Sequence, residues 1–525
     1  MTYTTNRTSS ALRTNLSAGS LLLLAVGLLA TAGPGAARLA AQDVGAATIT
    51  PDDFAWRVGV IAHDSMQGRD TPSPGLDKTA AWVASEFARL GLRAGGDDGG
   101  FIQRYPLRSV VVDTDRSSIV AGGERLRFGD DVLPLFGEVL EGDAAADLVL
   151  VSGSGSVSRS VRRAVRGRHV ALVLAPDADR VDNETFGVIA GLREAGASSV
   201  MVTNGTDDAR WAAGVERALR GSASKGWSNQ GARTMIFLPL LQVRTAALER
   251  LVSGTEVDMA ELAARSSDGL RVHETDVRVT LIQRTRQEDS TAPNVVGILE
   301  GSDPVLRDEY VVYSAHMDHV GTGTPDEDGD SIFNGADDDA SGTSAVLEVA
   351  EAMASLPTAP RRSMVFLIVS GEEKGLWGSE WYAENPTVPV ASMVANLNAD
   401  MVGRNWTDTI VAIGKEHSDL GTTLERVNEA HPELGMTAID DLWPDERFYF
   451  RSDHFNFARK GVPILFFFNG THEDYHGRND EPDRIDNEKA SRIARLLYYL
   501  GEEIANTDAR PEWNPESYAR IVSDR

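Results

Sequence analysis

The chain contains no cysteine among its 525 residues. That excludes disulfides, thiolate metal ligands and cysteine nucleophiles, so any bound metal must sit on His, Asp or Glu. Basic residues are scarce beside acidic ones: Lys and Arg total 51, Asp and Glu 78, and the formal net charge is -27. A surface of that sign repels nucleic acid and anionic membranes, so no nucleic-acid partner is expected. Long apolar runs are also missing. The run at residues 21–30 is too short to span a bilayer, and no comparable segment follows it. That run is preceded by Arg7 and Arg13 and followed by the small residues Ala36, Ala37, Ala40 and Ala41. The layout predicts a secretory signal peptide over residues 1–41, hence an exported protein with no stable membrane insertion once it is removed.

What is present suffices for one large catalytic domain and a smaller one, with 42% apolar residues over this length. Trp82, Val83, Phe87, Leu90 and Leu92 follow a helical period near the start. From 116 to 275 the texture changes to short apolar runs, such as residues 147–151, 169–174 and 199–202, separated by Gly, Ser and Asp. This stretch predicts an inserted strand-rich domain with few catalytic side chains, suited to a cover or lid. Residues 42–115 and 276–525 then form the main domain. There, five buried-strand runs (294–298, 310–313, 364–369, 393–397 and 464–468) alternate with helical patterns such as Val346, Val349, Ala350, Met353 and Leu356. Alternation of that kind predicts an α/β fold with a mixed, largely parallel sheet flanked by helices.

Several of these strands run into a potential metal ligand, where open α/β sheets bind ligands. After the second, His316 offers an imidazole nitrogen, and Asp318 two residues on is placed to orient its other ring nitrogen. A Gly turn then leads to Asp337, Asp338 and Asp339, three adjacent acids that repel one another unless a cation intervenes. Glu372 and Glu373 follow the third strand, one suited to bind metal while the other takes a proton. Asp400 follows the fourth, and Tyr475-His476 lies in a polar loop beyond the fifth. Two imidazoles, three carboxylates and a free Glu suit two adjacent zinc ions that share one carboxylate.

This order of motifs resembles the two-zinc exopeptidases, which include bacterial leucyl aminopeptidases and glutamate carboxypeptidases. The resemblance spans residues 51–500, and the inserted region is similar to a protease-associated domain. It implies the zinc exopeptidase fold and two Zn2+ per chain, with Asp338 bridging, Glu373 and His476 on one ion, and His316 and Asp400 on the other. It further implies Glu372 as the general base, Asp318 as the partner of His316, and Tyr449 as the hydroxyl that steadies the oxyanion. In relatives the peptide after the bridging aspartate is cis, which predicts a cis Asp338–Asp339 bond. The implied activity is hydrolysis of peptides or proteins. An acidic cleft favours a free ammonium group, which points to an aminopeptidase.

Other readings fare worse. The string His472-Glu473-Asp474-Tyr475-His476 matches the one-zinc signature His-Glu-x-x-His, but that signature works only on a helix. Here it directly follows a strand and lies between Gly470 and Gly477. A carboxypeptidase, a glutaminyl cyclase of the same fold and a non-enzymatic binding protein are the alternatives. The complete ligand inventory and the Glu372-Glu373 pair argue against the last two. No Gly-x-Ser-x-Gly elbow of a serine hydrolase is present.

Overall fold

The computed structural model describes residues 42–522 apart from 136–140, 176–180, 204–206, 221, 228–238, 265–268, 324 and 327. The expected signal peptide lies outside the described residues. The chain divides into two compact units, the second comprising Arg104–Pro293 and Gly323–Ser331.

In the first unit a twisted sheet runs in the order Thr437–Ile439, Thr409–Ile413, Ile464–Phe467, Met393–Ala399, Tyr310–His316, Ser363–Val369 and Thr285–Leu299. Tyr310–His316 pairs in parallel with both Ser363–Val369 and Met393–Ala399, and the latter in parallel with Ile464–Phe467. Antiparallel pairing enters where Thr285–Leu299 meets Ser363–Val369 and where Thr409–Ile413 meets Ile464–Phe467. The sheet is therefore mixed and largely parallel, as the strand runs predict. Its central strands are buried along their length and read as continuous apolar runs because helices cover them.

Gly342–Ala354 carries the predicted apolar stripe and packs against Asn487–Asn506. The latter helix starts where Asp486 accepts from the Lys489 amide, and it comes very close to the sheet. Tyr313 Oη donates to the Leu497 carbonyl at 2.9 Å. A Cβ at Gly501 would lie 1.6 Å from that hydroxyl, so only glycine allows the approach.

The second unit holds an eight-stranded sheet in which Gly142–Ser152, His169–Val173, Ser199–Thr203 and Leu240–Val243 run parallel. Leu148, Leu150, Ala171 and Met201 face one apolar cluster, while Val149, Val151, Val170, Leu172 and Val200 face another. The sheet is thus buried on both faces. Helices Arg159–Val165, Asn183–Glu194, Thr245–Leu251 and Met259–Ala264 accompany it. The strand-rich texture did not announce them because three of these four span only six or seven residues, and the 12-residue Asn183–Glu194 has its apolar positions interrupted by Gly and charged residues.

Among the described residues no helix is long and apolar enough to cross a membrane.

Candidate metal centre

The parallel register brings three strand ends to one edge. Ser314, Ala315 and His316 lie opposite Leu367, Ile368 and Val369, and Ser314 lies opposite Asn398. Glu372, Glu373 and Asp400 therefore emerge beside His316, although they are scattered along the chain. Asp338 reaches the same place from the loop that opens the Gly342–Ala354 helix.

Two groups of donor atoms result, each with its members within 4.8 Å of one another: His316, Asp338 and Asp400 in one, His319, Asp338, Glu373 and His476 in the other. Asp338 is common to both. Its Oδ1 is 3.4 Å from His316 Nε2 and its Oδ2 is 3.1 Å from His476 Nε2. His316 Nε2 is 3.7 Å from Asp400 Oδ1, and His476 Nε2 is 3.1 Å from Glu373 Oε2. All five predicted ligands meet. His319, three residues beyond His316, joins them with Nδ1 2.9 Å from Glu373 Oε1.

Only the middle acid of Asp337-Asp338-Asp339 turns to the cluster. Asp339 instead accepts from the main-chain amides of His316 (3.1 Å), Gly342 (2.9 Å) and Met401 (3.1 Å), tying a strand end, a helix start and the loop after Asp400. Asp337 accepts from Ser341 Oγ at 3.0 Å and the Gly403 amide at 2.6 Å. Asp480 receives the amides of both Asp337 and Asp338, at 2.9 and 3.1 Å. The Asp338–Asp339 peptide is cis, as expected. At Gly335 (φ 57°) a Cβ would lie 2.2 Å from the Asp338 carbonyl oxygen and 2.5 Å from the His319 ring, so the loop requires glycine.

The orienting partner of His316 differs in detail from expectation. Asp318 lies beside Nδ1, but its main-chain oxygen is the closer group at 3.2 Å, with the carboxylate at 3.7 Å. That carboxylate accepts from Thr71 Oγ1 at 2.9 Å and from the Glu372 amide at 3.2 Å. Asp318 thereby links His316 to the turn carrying Glu372.

Tyr449 is not brought to the cluster. Its ring belongs to the apolar core, edge-on to His417 at 4.6 Å and next to Phe450, and its buried hydroxyl makes no hydrogen bond. Tyr475 takes that place, lining the cleft with His316, Asp338, Glu372 and Asp400. A signal for it was available, since Tyr475 directly precedes His476. His472 faces Asp337 at 3.3 Å, and the His472–His476 stretch is a turn rather than a helix, which removes the one-zinc reading.

Electrostatically the cluster demands positive charge. Burial opposes protonation of His316, yet Asp339 and Asp400 hold its pKa well above the usual value. His476 is pushed up to about 10, with burial opposing and Asp338 and Glu373 prevailing. The Asp338 carboxyl lies well below its ordinary range despite burial, because the His316 and His476 imidazoles lie beside it. Glu372 behaves differently: burial lifts its carboxyl well above the ordinary range, opposed by His316 and reinforced by Asp453 and Asp400. His476 Nε2 and Glu373 Oε1 are buried side-chain atoms without a hydrogen bond. Imidazole and carboxylate donors gathered around one shared carboxylate fit zinc.

Residues 294–501 match Peptidase family M28. Aminopeptidase YwaD of Bacillus subtilis is 24% identical over 284 residues, covering 52% of this chain and 57% of that protein. A probable zinc metalloprotease of Leptosphaeria maculans is 34% identical over 285 residues, covering 44% of this chain and 65% of that protein. The chain spans about half the length of the curated relatives it matches. The structure of BSAP, a zinc aminopeptidase from Bacillus subtilis, shares the fold at 16% identity and a TM-score of 0.51, over 91% of this chain and 98% of its own. The chain carries a domain of peptidase family M28, homologous to bacterial zinc aminopeptidases.

Proposed function

We propose that the protein is an exported two-zinc aminopeptidase. One observation carries the reading: Asp338 is shared by two donor groups, each compact enough for one ion. His316 and Asp400 would hold one zinc, Glu373 and His476 the other, with Asp338 between them. His319, within reach of Glu373 and Asp338, supports the second group. Two such ions would polarise the scissile carbonyl and lower the pKa of the attacking water.

The chain's own residues supply the rest. Glu372 takes a proton from the water and returns it to the leaving amine. Its side chain lines the cleft, and its amide is anchored on Asp318. Tyr475 donates its hydroxyl to the developing oxyanion. Burial first, then Asp338 and Glu373, push its phenol well above the ordinary value, so it stays a protonated donor at neutral pH. Asp318 steadies His316 and the Glu372 turn together. Glu372 and Asp400 leave the cleft acidic, which favours a substrate's free amino terminus.

The domain boundaries follow from the same reading. Residues 1–41 are a signal peptide, on the strength of Arg7, Arg13 and the apolar run behind them. The second unit is a protease-associated-like insert, supported by its position within the peptidase chain and its own apolar clusters.

Zinc per chain in the purified protein, measured by elemental mass spectrometry alongside hydrolysis of leucine p-nitroanilide, tests the proposal. About two zinc ions with release of the amino-terminal residue is the expected result. One ion per chain, or cleavage only from the carboxyl end, would refute it.

A further inference from the structure

The cleft beside the metal cluster has a wall that the catalytic chemistry does not use. Phe448, Phe466 and Phe468 form it together with Met401. Phe466 stacks on Phe468 at 5.2 Å, and Phe448 packs on Phe468 at 4.8 Å and on Trp443 at 5.8 Å. With Phe466 2% and Phe468 4% exposed, the wall is packed from behind. Beside it lies Arg451, the one arginine or lysine lining this cleft among the described residues.

Arg451 is fixed in three ways. Its guanidinium sits over the Phe448 ring at 4.8 Å from the centroid, a cation–π arrangement. Its amide donates to the Phe448 carbonyl at 3.0 Å. The next residue, Ser452, donates its hydroxyl to Asp400 Oδ2 at 2.8 Å, so the backbone at Arg451 is tethered to the metal cluster. Its acidic neighbour binds it weakly: Glu446 Oε2 is 3.7 Å away, and the two side chains are 63% and 52% exposed. A pair so exposed is screened by water and leaves most of the guanidinium's donors for a ligand.

A pocket with aromatic walls and one pre-oriented guanidinium matches a short methylene stem that ends in a carboxylate. The stem covers the aromatic faces, and the carboxylate takes the guanidinium fork. A substrate ammonium or guanidinium group would meet like charge there, and an aliphatic side chain would leave the fork without a partner. We infer that Arg451 makes this wall a carboxylate-selecting subsite. Favoured substrates then carry an acidic side chain beside the scissile bond, or present the terminal carboxylate of a short peptide. The inference rests on the peptidase reading above and specifies its substrate.

Steady-state kinetics on glutamate, leucine and lysine p-nitroanilides test the side-chain source. Leu-Gly against Leu-Gly-amide tests the terminal source. Glutamate exceeds lysine in the unaltered protein, and Arg451→Gln lowers either the glutamate-to-leucine ratio of kcat/KM or the dipeptide-to-amide ratio by about 10- to 100-fold. Whichever ratio moves identifies the carboxylate, and Arg451→Glu turns the side-chain preference toward lysine. If both ratios stay within about twofold in Arg451→Gln, the inference is overturned. Calorimetric titration of glutamate, leucine, Leu-Gly and Leu-Gly-amide into the same zinc-loaded proteins reads the pocket without turnover. Should no substrate be hydrolysed, the peptidase reading fails, while tighter binding of glutamate than leucine, or of Leu-Gly than Leu-Gly-amide, lost in Arg451→Gln still upholds the subsite; equal binding within both pairs sinks it.

Discussion

Arg69 Nε donates to the main-chain oxygen of Met317 at 2.7 Å, from beneath the His316–Asp318 turn. The same guanidinium donates to the carbonyls of Ile61 at 3.0 Å, Asn334 at 2.5 Å and Gly335 at 2.9 Å. It is fully buried and contacts two of the loops that carry predicted ligands, those of His316 and Asp338. Burial lowers its pKa to about 10, with Asp338 and Asp318 opposing, so it stays charged under all ordinary conditions. One permanent cation thus fastens the two loops by their backbones and offsets the surrounding acids.

Arg69→Lys keeps the charge but cannot reach four carbonyls in one plane. Each carbonyl left buried and unpaired costs about 1–3 kcal/mol. We expect a clearly lower Tm in calorimetry and a zinc content below that of the unaltered protein after mild chelation. Full zinc retention in a folded Arg69→Lys protein would show that the loops hold their shape without it.

Glu372→Gln removes the proton acceptor while keeping the shape of the side chain. Turnover should fall by about 100-fold or more. Zinc per chain should be unchanged, because the predicted ligands are other residues. Elemental analysis beside kinetics checks both halves, and loss of metal would reassign Glu372 as a ligand.

Tyr475 and Tyr449 make opposite forecasts. Removing one oxyanion donor lowers kcat by about 100- to 1,000-fold, and Tyr475→Phe should approach that loss with KM little altered. Tyr449→Phe removes a hydroxyl that makes no hydrogen bond in the core, so its effect on kcat should be far smaller. Stopped assays on the two variants side by side distinguish them; the reverse ranking would restore Tyr449.

Glu348 is buried against Arg57, away from the cluster. Burial raises its pKa from 4.5 to about 7, with Arg57 opposing. An acid whose folded pKa exceeds its unfolded value holds its proton more tightly when folded. Its contribution to stability therefore falls as pH rises from about 4.5 to 7 and is level above that, by at most roughly 3 kcal/mol. Relative to the unaltered protein, Glu348→Gln should gain in Tm between pH 5 and pH 8. A difference in Tm that is flat with pH would mean that Arg57 keeps Glu348 ionised throughout.

Much of the fold was legible because its signals are local. The central strands of the first sheet are buried on both sides and read as unbroken apolar runs, and the helix Gly342–Ala354 shows its period directly. The shorter helices of the second unit were not legible, since seven-residue segments such as Arg159–Val165 hold too few turns to declare a period. Carboxylates and histidines near strand ends were also readable, because a parallel sheet carries all its strand ends to one edge.

By itself the sequence determined which residue types follow each strand and in what order, because strand, turn and helix patterns are properties of neighbouring residues. Only the tertiary structure decided which neighbour faces the cluster. Asp338 turns inward while Asp337 and Asp339 bind backbone amides, since Asp480, Met401 and Gly403 come from distant segments to hold the loop. Tyr475 lines the cleft and Tyr449 lies in the core because one sits on an irregular loop and the other under His417 and Phe450. Arg69 and His319 likewise act through distant partners, Met317 and Gly335 for the one (248 and 266 positions away) and Asp338 and Glu373 for the other, too far along the chain for a local pattern to register.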